Sequence, residues 1–228
     1  MAHMRAEDER EMMSQTLQVD FIETAGEIGA LLLESHLIKT LNPLYNIRLR
    51  RLRNLCSIQL HDQAGAWVPE IVTGKDLGWG QVEGLYGLFS SRHAAQAKLR
   101  ELADQHNLCQ GLLGLEKLSA RGCFGLQVKT CLGACVGKEV REVHDQRLLT
   151  ALVDMKVHAW PFAGAIDLVE ESQGWVQRHR LENWRYLGTW CSKSAQLPVT
   201  LQQSFDLDTY QILVKPIMLG TARLESVN

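Results

Sequence analysis

Residues Thr24–Leu60 read TAGEIGALLLESHLIKTLNPLYNIRLRRLRNLCSIQL. Thr24 followed three residues later by Glu27 has the pattern of a capping box, with the threonine as N-cap of a helix. Ile28, Leu31, Leu32 and Ser35 follow at helical spacing, and Asn42 with Pro43 marks the stop. The next stretch, YNIRLRRLRNLCSIQLHD, alternates apolar and basic residues, which predicts a strand with one side of arginines. WVPEIVTGKDLGWG continues with strand and turn signals, so a hairpin follows the helix.

Working outward, RAEDEREMMSQTLQ reads as a charged helix and VDFIET as a short strand. SSRHAAQAKLRELADQH is a helix capped by Ser90 or Ser91, and GKEVREVHDQRLLTALVDMK is another. GLYGLF, Gly84–Phe89, reads as a strand or turn. Past Trp160 and Pro161 the pattern changes to short strands, AIDLVEE, RLENWRYLGTW and TYQILVKPI. The expected class is α+β, in three stretches: 1–60, a helical cysteine-bearing 61–158, and a small β-rich 159–228.

With 228 residues, 46% apolar, the chain can bury a core. No run approaches the apolar length of a membrane span, and the charged N-terminal MAHMRAEDEREMMSQ is unlike a signal peptide. A cytoplasmic protein is expected. The net charge of −2 excludes a chain that is basic throughout, so any nucleic-acid affinity must come from local patches.

Four of the six cysteines, Cys109, Cys123, Cys131 and Cys135, lie between the second and third clear helices, in glycine-rich sequence. In a reducing compartment such a group points to a metal or to redox chemistry rather than to disulfides. Structural zinc usually takes tight CxxC pairs, and this chain has none. Irregular spacing with one CxxxC pair suits an iron–sulfur cluster better. Zinc and four free buried thiols stay open as alternatives. Gly122, Gly125, Gly133 and Gly137 would let the backbone approach a cluster, and Arg121, Lys129 and Lys138 would partly balance its charge. Cys56 and Cys191 fall outside the spacing and read as packing residues.

Lys39 with Arg48, Arg50, Arg51 and Arg53 forms the densest positive patch, able to neutralise phosphates or simply to be a solvated face. Glu34 interrupts an apolar helix. A carboxylate there either faces solvent or holds a divalent cation.

Together, the ALLLE, LIK, P and YN run, the four spaced cysteines, CFGLQVKTCLGACVGKEVREVHDQR, WPFAGAI and NWRYLGT resemble the UvrC-type GIY-YIG excinuclease family, and within it the shorter Cho branch, along nearly the whole chain. The resemblance implies the second half of a GIY-YIG nuclease domain followed by a four-cysteine domain. It makes Cys109, Cys123, Cys131 and Cys135 the ligands of a [4Fe-4S] cluster. It places Glu34 on the family's Mg2+- or Mn2+-binding glutamate and Asn46 on the asparagine that ends the nuclease motif. The implied reaction is hydrolysis of one phosphodiester of damaged double-stranded DNA on the 3′ side of a lesion, with UvrA and UvrB as partners. The sequence departs from the family by lacking the GIY and YIG strands with their tyrosines, and the helix with the catalytic arginine. The chain by itself is therefore expected to bind DNA with little or no incision. Its tail resembles equally the C-terminal part of polymerase-epsilon-like exonuclease fusions. A non-catalytic Fe–S module that binds DNA or a repair partner is the other reading. Without the sheet of that domain, Leu31, Leu33, Leu37 and Ile38 are expected to include poorly covered positions.

Overall fold

The computed structural model describes residues 2–46, 55–73, 78–193 and 205–227. The arginine-rich stretch Arg48–Arg53 lies outside these residues. The described chain is mixed α and β, with two antiparallel sheets in two compact units. One unit comprises residues 1–52 and 162–228, the other residues 53–161. The first and third stretches of sequence thus share a unit, and the segment after residue 52 opens the other.

In the middle unit, β1 (Cys56–Gln63) lies between β2 (Ala66–Thr73) and β3 (Leu85–Phe89). The predicted hairpin is β1–β2, beginning at Cys56, and GLYGLF is the edge strand β3. Helix α3 (Arg92–His106) is capped by Ser91, whose side chain accepts the amide of Ala94 at 3.1 Å. Its Ala95, Leu99, Leu102 and Ala103 recur at helical spacing and pack with Ile58, Leu60 and Ile71 of the sheet and Leu148 and Leu152 of α5 (Arg141–Leu152). The stretch expected to be helical therefore has a sheet at its centre. Between α3 and α5, regular structure is limited to the four-residue α4 (Phe124–Gln127) and one 3-10 turn at Ala134–Val136.

In the other unit, α1 (Ala2–Gln15) and α2 (Glu27–Leu41) precede β4 (Ile166–Ser172), β5 (Trp175–Glu182), β6 (Arg185–Cys191), α6 (Leu207–Met218) and β7 (Arg223–Ser226). The sheet order is β6-β5-β4-β7. RLENWRYLGTW is two strands, not one: Asn183 and Trp184, with φ of 50° and 59°, make a two-residue turn of the kind that matches strand twist. Trp184 tolerates that conformation because its ring is wholly buried, edge-on to Tyr210 at 5.1 Å.

Two other expectations are overturned. TYQILVKPI is the core of α6, not a strand. Its alternation mimics a strand, but Tyr210, Leu213 and Ile217 form a buried helical stripe, and Asp206 caps the helix by accepting the amide of Thr209 at 3.0 Å. VDFIET is extended but unpaired among the described residues, with Val19 and Phe21 exposed. Alternation specifies a strand only when a neighbouring strand accepts it.

Helix α2 spans the expected residues and ends at Asn42 in the left-handed conformation, but Gly26, not Thr24, is its N-cap. Thr24 instead donates to the Gly26 carbonyl at 3.0 Å. The capping is done from the sheet: Glu170 of β4 accepts the amides of Ile28 at 3.0 Å and Gly29 at 2.7 Å. Glu170 also meets His179 Nε2 at 3.1 Å, and His179 Nδ1 meets Thr189 Oγ1 at 2.6 Å, which in turn meets Tyr186 OH at 2.6 Å. A Cβ on Gly26 would stand 2.2 Å from the Glu170 carboxylate, and one on Gly29 2.7 Å from the His179 ring. The spacing of these glycines is thus fixed by a carboxylate 141 residues away. Of the four apolar positions expected to be poorly covered, Leu33 and Ile38 are buried and Leu31 is exposed.

Burial alone would raise the pKa of Glu170, but the hydrogen bond from His179 and the amides of Gly29 and Ile28 outweigh it and hold the carboxyl below 4.5. The stability this contributes is present above about pH 4.5 and is lost as pH falls through the lowered value. Glu170→Ala is expected to cost about 2–4 kcal/mol in urea unfolding at neutral pH, from a lost cap and two unsatisfied amides. The difference from wild type should shrink in acid, and hydrogen exchange should show protection lost at Ile28 and Gly29.

Candidate functional site

The sulfurs of Cys109, Cys123, Cys131 and Cys135 all lie within 4.8 Å of one another. Each arrives by a different local device. Cys109 follows the C-cap of α3, and its amide donates to Nε2 of the buried His144 at 3.1 Å. That acceptor role puts the ring proton on Nδ1, which faces Asp145 Oδ1 at 2.9 Å. Asp145 also accepts from Arg141 and from the amide of Trp67 in β2, so the ring is held from two elements. Burial lowers the pKa of His144 despite Asp145, consistent with a neutral ring.

Cys123 is the N-cap of α4, its sulfur accepting the amide of Leu126 at 3.3 Å, and Cys131 accepts that of Gly133 at 3.3 Å. Amides aimed at sulfur favour thiolate, the form that binds metal. Gly122 and Gly125 pass so close that a Cβ would come 3.3 Å from the Cys135 sulfur and 3.7 Å from that of Cys123. Leu112 and Leu126 pack against the sulfurs. Burial pushes the Cys109 thiol up and the Cys123 thiol to about 11. Cys135 goes the other way: burial opposes its ionisation, but hydrogen bonds from the Cys123 backbone and the Cys109 side chain prevail.

The donor set is four thiols, with no histidine or carboxylate among them. Such a set fits a four-thiolate centre. Four thiolates around a single zinc with bonds of about 2.3 Å would stand roughly 3.8 Å apart. Four irons at the corners of a cube hold their thiolates further apart than one ion does. The span of 4.8 Å exceeds the single-ion value and is compact for a cluster.

Cys56 is buried among Ile58, Leu99 and Leu148, and Cys191 beside Ala25 and Trp175, as packing residues. Arg121, Lys129 and Lys138 are exposed around the cysteine segment. Glu34 is exposed on α2, where it lines a cavity of about 540 Å³ with Ile28, Leu31 and, from α6, Asp208 and Lys215. Asn46 is exposed past the end of α2. Lys39 does not present a free charge: its ammonium lies 2.6 Å from Asp206 and 2.9 Å from Asp208. Sequence reading missed His144 and Asp145, for which the only local sign is the pair itself inside a helix. It missed Glu170 and His179, whose alternation along β4 and β5 looks like that of any strand.

Three family models match in succession: the UvrC-like GIY-YIG domain over residues 2–47, the UvrC/Cho excinuclease middle domain over 55–154 and the excinuclease Cho C-terminal domain over 165–228. The chain is 41% identical over 230 residues to the excinuclease Cho of Shigella flexneri, covering 100% of this chain and 77% of that protein. The chain belongs to the excinuclease Cho family. With the Salmonella typhi excinuclease Cho it is 44% identical over 222 residues, covering 96% of this chain and 74% of that protein. The UvrABC system protein C of a Ruegeria species is 32% identical over 127 residues, 56% of this chain and 20% of that protein. No solved structure matches. The GIY-YIG match contains Glu34 and Asn46, and the middle-domain match contains all four gathered cysteines.

Single serine substitutions separate the two kinds of cysteine. Cys109→Ser, Cys123→Ser and Cys131→Ser are each expected to reduce bound metal, measured per chain by plasma mass spectrometry, to a small fraction of wild type. Cys56→Ser and Cys191→Ser should keep the full complement while lowering stability.

Proposed function

We propose that this chain is a DNA-repair endonuclease component of the Cho/UvrC type, acting in nucleotide excision repair in the cytoplasm. Its substrate is damaged duplex DNA, its partners are UvrA and UvrB, and the incision falls on the 3′ side of the lesion. The observation that carries this reading is the gathering of Cys109, Cys123, Cys131 and Cys135 in the stretch that matches the family's middle domain; in the other unit, α2 exposes Glu34 within the GIY-YIG match. Glu34 would hold Mg2+ or Mn2+, with Asn46 in support. The four thiolates would hold a [4Fe-4S] cluster, supported by the irregular spacing, the all-thiol donor set and the amides directed at sulfur. When bound, the divalent ion supplies charge to stabilise the leaving oxygen, and the protein's part is to fix the carboxylate on a helix anchored at its N-terminus by Glu170.

A second reading rests on the thiol group alone: the four cysteines gather in the unit of residues 53–161, which contains neither Glu34 nor Asn46. The chain would then bind DNA or a repair partner through an Fe–S module and leave the strand intact.

Iron and acid-labile sulfide, measured on anaerobically purified protein, are expected at about four each per chain, with a broad visible absorbance. One zinc and no iron would overturn the cluster. Incision of a lesion-bearing duplex with UvrA, UvrB and Mg2+, abolished by Glu34→Gln, supports the endonuclease. Binding without incision, unchanged by Glu34→Gln, supports the second reading.

A further inference from the structure

The segment that carries the cysteines exposes side chains that neither the four gathered thiols nor the core uses. Between Lys117 and Lys138 the sequence holds four cations, Lys117, Arg121, Lys129 and Lys138, and no carboxylate. All four are exposed, in a chain whose net charge is −2. The carboxylates that flank the segment are turned to other work. Glu116 accepts the amide of Phe124 at 2.9 Å, and Glu139 pairs with Arg147, whose second nitrogen lies 3.0 Å from it. Among the same residues apolar side chains face out: Phe124 is 64% exposed and Val128, one helical turn on, 50%. An exposed phenyl ring in the same segment as four exposed cations is the composition of a single-strand platform, where cations follow the phosphates and the aromatic face stacks on a base. A paired duplex hides its base faces, so this surface fits unpaired DNA better than duplex.

We propose that the outer face of the cysteine segment binds an unpaired stretch of DNA, with Lys117, Arg121, Lys129 and Lys138 on phosphates and Phe124, supported by Val128, stacked on an unstacked base. This deepens the DNA-repair reading and rests on it. The competing account is that these cations only balance the charge of a four-thiolate centre.

The test is fluorescence anisotropy of the metal-loaded chain with a labelled single-stranded oligonucleotide and the matching duplex, over a salt series. Wild type is expected to favour the single strand. Phe124→Ala should weaken single-strand binding by roughly tenfold or more and leave duplex binding nearly unchanged, and Phe124→Trp should restore it. Replacing the four cations by Gln should flatten the slope of log K against log salt on single strands by about 3, as four lost phosphate contacts require. Lys129→Gln alone should flatten it by about 0.7 and covers the case in which the fourfold variant misfolds. Metal content is measured on every variant. Full DNA binding by metal-loaded Phe124→Ala and Lys129→Gln proteins would overturn the proposal while leaving the repair reading intact, with affinity carried elsewhere, as on Arg48–Arg53. Cation variants that lose metal but keep the wild-type salt slope would overturn it in favour of charge balance. A wild-type chain that binds neither DNA would overturn the inference together with the DNA-repair reading beneath it.

Discussion

The carboxylate of Glu170 stands at the start of α2 and decides how one of the two units is built. A partly buried carboxylate is costly unless its oxygens are satisfied. Here two amides of a helix terminus and a histidine satisfy it, in the place where the helix dipole also favours negative charge. The histidine is fixed in turn by Thr189 and Tyr186 from β6. Beside them Gln177 of β5 accepts the amide of Ala25 at 2.9 Å. The residues leading into α2 are thus held by two adjacent strands at once. A segment matched to a nuclease domain and a segment matched to a Cho C-terminal domain fold as one body. Glu34 lies seven residues beyond the first residue of α2, about 10 Å along the axis, so whatever fixes that terminus fixes Glu34.

The middle unit depends on a different constraint. Its sheet and two long helices share an ordinary apolar core, but the segment from Cys109 to Val140 contributes little to it. That segment has one helical turn and one 3-10 turn, and the cysteines are packed by little more than Leu112 and Leu126. Four thiols gathered this closely gain little from burial, and thiolates so near one another repel unless a cation joins them. A metal there would supply the folding energy that the segment lacks. His144 ties this segment back to the core, because one ring nitrogen takes the amide of Cys109 while the other is held by an aspartate that also binds β2.

What could be read from the sequence divides along the range of the interactions involved. Helices α2, α3 and α5, the cap at Ser91 and the β1–β2 hairpin are written in neighbours three or four residues apart, and they are where the pattern puts them. The separation of Cys56 and Cys191 from the other four cysteines also follows from spacing. The misreadings come from partners far away in the chain. Thr24 and Glu27 have the capping-box pattern, yet the helix is capped by Glu170. TYQILVKPI alternates like a strand, yet its stripe packs a helix under Trp184. Lys39 looks like part of a basic patch, yet Asp206, 167 residues on, holds its ammonium. Short-range pattern cannot show a contact whose two halves are so far apart.

The distribution of paired charge narrows where a polyanion could be met. Arg141 is held by Asp145, Arg147 by Glu139, Arg178 by Glu225, Arg180 by Asp167 and Arg185 by Glu182. Lys39 is held by two carboxylates of the α6 cap and first turn. Each of these cations already has a carboxylate, and moving it to a phosphate would leave that carboxylate behind, so the exchange gains little. Cations with no carboxylate to abandon gain the full counterion-release term instead. In the middle unit four of these, Lys117, Arg121, Lys129 and Lys138, lie on the cysteine segment, whose flanking Glu116 and Glu139 are engaged by the Phe124 amide and by Arg147, while Arg92, Arg100 and Lys156 lie outside it. Sequence composition gives a nearly neutral chain. The fold matches many of its described cations to carboxylates and leaves the cysteine segment locally positive, so that a protein with net charge −2 still carries a patch of one sign.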